Sequence, residues 1–84
     1  MYKLLIKTSA ERDLRKLPGS VFQRVNERIL ALRSDPRPPG AGKLSGELEG
    51  WRIRVGDYRI LYQIDDKTQT VTIVRVKHRR EVYR

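Results

Sequence analysis

The sequence predicts an α+β domain in the order β-α-α-β-β-β: a largely antiparallel, four-stranded twisted sheet with a two-helix hairpin packed on one face. Three observations carry this expectation. Apolar residues recur with helical spacing between residues 8 and 33, and with period two on either side of that stretch. Residues 36–50 hold three of the four prolines and four of the six glycines, which marks one irregular crossing between the two regimes. With 84 residues, 38% of them apolar, the chain has material for one core, so residues 1–84 are read as a single domain.

Residues 2–7 alternate as a first strand, with Tyr2, Leu4 and Ile6 on one side and Lys3, Leu5 and Lys7 on the other. Thr8, with Glu11 three residues on, has the form of a capping box opening a short helix. Ala10, Leu14 and Leu17 share one face of it, and Pro18-Gly19 stops it. Ser20 with Gln23 repeats the capping pattern. The second helix carries Phe22, Val25, Ile29 and Leu32 on one stripe, with Val21 and Leu30 beside it, and ends at Asp35-Pro36. Leu44 and Leu48 are expected to anchor the irregular crossing.

Period two then takes over. Trp51, Ile53 and Val55 alternate with Arg52 and Arg54, and Gly56-Asp57 reads as a two-residue hairpin turn with glycine first. Tyr58, Ile60, Tyr62 and Ile64 alternate with Arg59, Leu61 and Gln63; Asp65-Asp66-Lys67-Thr68 turns the chain again. A last strand over about 70–78 separates Thr72, Val74, Val76 and His78 from Val71, Ile73, Arg75 and Lys77, with Arg79 continuing the second set.

Composition narrows the function. Nineteen Lys and Arg against ten Asp and Glu give a formal charge of +9, and thirteen of the nineteen are arginines. Such a balance points to a polyanionic partner, and the guanidinium fork suits bidentate phosphate contacts. Over residues 75–84, Arg75, Lys77, Arg79, Arg80 and Arg84 stand against Glu81 alone. With no cysteine there is neither a disulfide framework nor a thiolate metal cage. The longest apolar runs, such as Ile29-Leu30-Ala31-Leu32, fall far short of the roughly 20 residues a membrane helix needs, and no long apolar segment follows Met1. A cytoplasmic protein without membrane contact is the expectation.

If Ile53, Ile60, Tyr62 and Val74 meet the helices, the alternation gathers Arg52, Arg54, Arg59, Arg75, Lys77 and Arg79 on the other sheet face. Like charges opposite one another across strands are destabilising, and an anion seated there relieves the repulsion. Nucleotide loops and metal-ligand spacings are missing, the single histidine, His78, has no nucleophile motif to serve, and Asp65-Asp66 reads as a polar turn. No metal, cofactor or small-molecule ligand is expected. RNA is a substrate that needs none of these parts, because its 2′-hydroxyl is the nucleophile. The protein's task is in-line positioning and neutralisation of the phosphorane. Tyr83, just past the basic cluster, is placed for base stacking.

The start Tyr2-Lys3-Leu4-Leu5-Ile6, the stretch Ala10 to Leu17, Lys43-Leu44-Ser45-Gly46, Trp51 to Tyr62 and the closing His78-Arg79-Arg80-Glu81-Val82-Tyr83 together resemble the RelE-like toxins of the RelE/ParE toxin–antitoxin superfamily. The resemblance covers nearly the whole chain. It implies a type II toxin that cuts mRNA on the ribosome without a metal and is restrained by a cognate RelB-like antitoxin. It also implies roles: Arg52 and Arg54 as the basic pair before the hairpin turn, Arg59 stabilising the phosphorane, Arg79 assisting the leaving 5′-oxygen, and Tyr83 stacking on a base and orienting the 2′-hydroxyl. Arg75, Lys77 and Arg80 are assigned to RNA binding. Well-known members carry lysines at the first two positions. Arginine keeps its proton where lysine can act as a base, so Arg52 and Arg54 are expected to act through charge and position. The competing readings are a ParE-like inhibitor of DNA gyrase and a non-catalytic basic RNA-binding module. A third, using His78 as acid–base, is disfavoured because four residues separate it from Tyr83.

Overall fold

A computed structural model describes residues 1–44 and 50–82. The elements are β1 (Lys3–Ile6), α1 (Thr8–Arg15), α2 (Gly19–Ala31), β2 (Gly42–Lys43), β3 (Trp51–Val55), β4 (Tyr58–Asp65), β5 (Thr70–His78) and a single turn α3 (Arg79–Val82). The sheet order is β1-β5-β4-β3-β2, with β1 parallel to β5 and the other pairs antiparallel. The α+β class and the β3-β4-β5 meander are as the sequence predicts. The sheet has five strands rather than four, because Gly42 and Lys43 pair with Arg52 and Trp51 inside the segment read as irregular. Among the described residues no helix is long and apolar enough to cross a membrane.

Neither capping box forms. Lys7 and Pro18 occupy the N-cap positions without side-chain caps, so Thr8 and Ser20 fall inside the first turns of their helices. The reason is the tight join to the sheet: the Lys7 N–H donates to Ile73 O at 3.0 Å, which places the helix start one residue earlier than Thr8 alone would. Pro18, extended at ψ 149°, separates α1 from α2.

The core is Ala10 from α1, Val25, Ile29 and Leu32 from α2 and its C-cap, and Ile53, Val55, Ile60, Tyr62, Val71, Ile73 and Val76 from the sheet. Phe22 is not in it. Val21 takes the inward place one turn before Val25, and Phe22 is left 40% exposed. The Tyr62 phenol reaches through the core and donates to Pro36 O at 2.8 Å, fixing the start of the crossing. Burial pushes that phenol up to about 12. Leu44 packs against Gly50, whereas Leu48 lies outside the described residues.

Strict alternation fails along β5. Opposite Leu61 and Tyr62 the register slips, so that Arg75 pairs with Leu61 and Ile73 with Tyr62, leaving Val74 as an extra residue. A bulge of this kind changes the phase of the pleat. Val71 and Ile73 are therefore inward before it and Val76 after it, and Val74 is not the core residue that the alternation suggests.

α1 completes the edge of β5 where β1 stops. The Ser9 hydroxyl donates to Val74 O at 2.8 Å, and the Asp13 carboxylate accepts the Val76 N–H at 2.9 Å. Asp13 also takes both prongs of Arg75, at 2.8 and 3.1 Å. Burial acting alone would raise the Asp13 carboxyl, but the Arg75 hydrogen bonds, the Val76 N–H and the Arg75 charge outweigh it and hold it below 3.8.

Candidate functional site

The β3–β4 hairpin and the end of β5 build a basic surface on the sheet face turned from the core. Arg52 and Arg54 alternate with buried Ile53 and Val55, which forces both guanidinium stems outward. Register then places Arg54 opposite Arg59, and Arg59 opposite Lys77. Three cations thus stand in one row across three strands, an arrangement that costs stability in the absence of an anion.

Two adjoining clefts border this row. One, of about 220 Å³, is lined by Arg54, Gly56, Asp57, Tyr58, Arg59 and Arg79. The other, of about 300 Å³, is lined by Gly40, Arg52, Ile53, Arg54 and Arg59. Arg54 and Arg59 line both, so the four arginines assigned to chemistry from the sequence border this pair of clefts, together termed the groove. Arg52 lies across Gly42, where any Cβ would run into its guanidinium, and donates weakly to Lys43 O at 3.4 Å.

Arg79 does not continue the strand. It opens α3, its N–H donating to Asp57 O at 2.7 Å, so the tip of one hairpin pins the end of another strand. Its guanidinium is 3.9 Å from the Asp57 carboxylate, with both side chains about two-thirds exposed (65% and 67%). Such a pair is loose enough to yield to a stronger anion. Asp57, read from the sequence as a turn residue only, is the acidic side chain lining the smaller cleft. Its partner in the turn, Gly56, has φ +59°, the left-handed geometry that keeps a glycine at the first position.

His78 stands edge-on to Tyr58, ring centroids 5.1 Å apart, and its Nδ1 accepts the Arg80 N–H at 3.2 Å. That acceptor role leaves Nε2 to carry the proton of the neutral ring.

Arg75 is not among the groove cations. Register keeps Arg75 on the face of Arg59 and Lys77, opposite Leu61, but the Asp13 carboxylate forks its guanidinium at the α1–β5 edge, so it stands in a structural ion pair beside the open basic face. Lys77 shares the register row, and Arg80 is exposed on α3. Tyr83 lies outside the described residues. Among the described residues no group of three or more His, Cys, Asp or Glu is disposed to hold a metal. Sequence reasoning also missed Arg24, which reaches from α2 to the Gly56 turn. Helix periodicity marks it only as outward, and contact with the hairpin depends on how α2 crosses the sheet.

Residues 4–83 match the family model described as "ParE toxin of type II toxin-antitoxin system, parDE". The chain belongs to the RelE/ParE superfamily of type II toxins. Toxin RelG of Mycobacterium tuberculosis is 44% identical to it, over 99% of this chain and 97% of that protein. In the crystal structure of the toxin–antitoxin complex RelBE2 from the same organism, the matching chain is 39% identical and superposes with a TM-score of 0.81 over 92% of this chain and 96% of that one. The isolated Escherichia coli RelE toxin is 28% identical, with a TM-score of 0.80 over 99% of this chain and 92% of that one. The chain is thus a RelE-like toxin in fold and family.

Proposed function

We propose that this toxin is an endonuclease that cuts mRNA on the ribosome through the RNA's own 2′-hydroxyl. The observation that carries the reading is the in-register row Arg54–Arg59–Lys77, bordered by Arg79 in one cleft. In the reaction the 2′-oxygen forms a bond to phosphorus and the bond from phosphorus to the 5′-oxygen breaks. The products are a 2′,3′-cyclic phosphate and a free 5′-hydroxyl. The 2′-hydroxyl gives its proton to solvent, and the departing 5′-oxygen takes one up. Arg59 neutralises the phosphorane, Arg79 draws charge from the leaving oxygen, and Arg52 and Arg54 hold the flanking backbone in line. Tyr83 stacks on a neighbouring base, and Lys77 and Arg80 extend the phosphate path. No step requires a metal, since the substrate supplies the nucleophile.

The same charge explains a restraining partner. RelE-like chains are found in toxin–antitoxin complexes, RelBE2 of M. tuberculosis among them. A RelB-like antitoxin that lays acidic or amphipathic chain over the groove removes it from RNA. The test of function is to add the pure protein to programmed ribosomes and map mRNA 5′ ends. New 5′-hydroxyl ends at the A-site codon support the reading; intact mRNA refutes it.

The ParE designation of the matching family favours one second reading, in which the target is DNA gyrase and the arginines are not catalytic. Induced cells then lose DNA replication before translation, whereas a ribosome-dependent nuclease stops translation first.

A further inference from the structure

The Gly56–Asp57 turn is approached from the helix layer as well as from the sheet. Arg24 lies within α2, and its guanidinium rests against the turn: a Cβ on Gly56 would be 3.4 Å from Nη2 and 3.7 Å from Nη1. Gly56 also lines the smaller cleft, so Arg24 stands beside a residue of its wall. Arg24 is exposed, and among the described residues it makes no hydrogen bond or ion pair. Elsewhere in the molecule a carboxylate holds an arginine in place, as Asp13 holds Arg75 and Asp66 holds Arg37. At the hairpin, among the described residues, Arg24 and the cleft residues Arg54 and Arg79 flank a turn that carries the carboxylate of Asp57. The charge there is suited to a ligand with more than one phosphate.

Resting on the reading above, we propose that Arg24 is an RNA-binding residue, taking the backbone phosphate of a nucleotide flanking the scissile one from the helix side of the hairpin. The sheet arginines hold the reacting phosphate, and Arg24 extends the grip around the turn. The guanidinium fork is well matched to a phosphodiester.

The test is binding of a fluorescent ten-nucleotide single-stranded RNA, 2′-O-methylated throughout so that it cannot be cut, between 50 and 200 mM salt. Each single-strand phosphate contact adds about 0.7 to the log–log salt slope, so Arg24→Gln should lower the slope by about 0.7. Over that salt range the wild type then loses about 2.6-fold more affinity than Arg24→Gln. Arg24→Lys should stay near the wild type, and Arg12→Gln, on the exposed face of α1, should leave the slope unchanged. Arg24→Met, which keeps the stem without the charge, replaces the glutamine variant if that one unfolds. An unchanged slope for Arg24→Gln while Arg59→Ala weakens binding overturns the Arg24 assignment and leaves the groove reading standing. Equal losses for Arg24→Gln and Arg12→Gln also overturn it, since the effect is then general charge. If Arg59→Ala binds this RNA as the wild type does, the groove reading and the Arg24 assignment fall together.

Discussion

Arginines do opposite work at two places in this small domain. At the α1–β5 edge and at the far turn, each arginine is matched. Arg75 is forked on Asp13 at 2.8 Å, and Arg37 is paired with Asp66 at 2.8 Å while lying 5.2 Å from the Trp51 ring centroid. Asp66 accepts the Tyr2 hydroxyl as well, at 2.7 Å. At the β3–β4 hairpin, by contrast, Arg54, Arg59 and Lys77 stand in one row, and the Arg79 guanidinium lies 3.9 Å from the Asp57 carboxylate. Matched arginines tie strand edges and turns together. The stacked ones concentrate positive charge beside the two clefts, where a phosphate is favoured.

Mutations should separate the two uses. The largest effect is expected on cleavage: Arg59→Ala and Arg79→Ala should each lower single-turnover cutting of ribosome-bound mRNA by about a hundredfold or more, the scale of losing one transition-state donor. Tyr83→Ala should reduce cutting about tenfold, in keeping with about 1–3 kcal/mol per stacked base. Next comes stability at the matched site. Asp13→Ala removes the Arg75 fork and the acceptor for the Val76 N–H, and should destabilise the fold by about 2 kcal/mol in urea unfolding. The smallest effect has the opposite sign. Arg54→Thr relieves the cross-strand repulsion and should raise stability by about 0.5 kcal/mol while lowering RNA affinity.

Acid sharpens the same contrast. The Asp13 carboxyl is held below 3.8 in the fold, so at low pH the unfolded chain takes up a proton that the folded chain still resists. The stability Asp13 confers is complete above the unfolded value and fades as pH falls through the depressed folded value. Unfolding midpoints measured from pH 6 to pH 2 should therefore drop less in Asp13→Asn than in the wild type.

Much of this was legible in the sequence. The β3–β4 hairpin, its glycine-first turn and the outward set Arg52, Arg54 and Arg59 follow from period two alone, because β3 and β4 pair without interruption. What was not legible arose where one segment depends on another. The bulge at Val74 reverses the phase of β5, and Asp13, 62 residues away in sequence, collects Arg75. Gly42 and Lys43 become a strand only through pairing with β3. Arg24 meets the hairpin only through the crossing of α2 over the sheet. Local pattern carries no trace of such contacts.

The most direct test of the central claim pairs 5′-end mapping on programmed ribosomes with the unfolding midpoint of Arg59→Ala. The wild type should generate 5′-hydroxyl ends at the A-site codon, and the folded variant should generate almost none. Cleavage by folded Arg59→Ala at the wild-type rate would contradict the account.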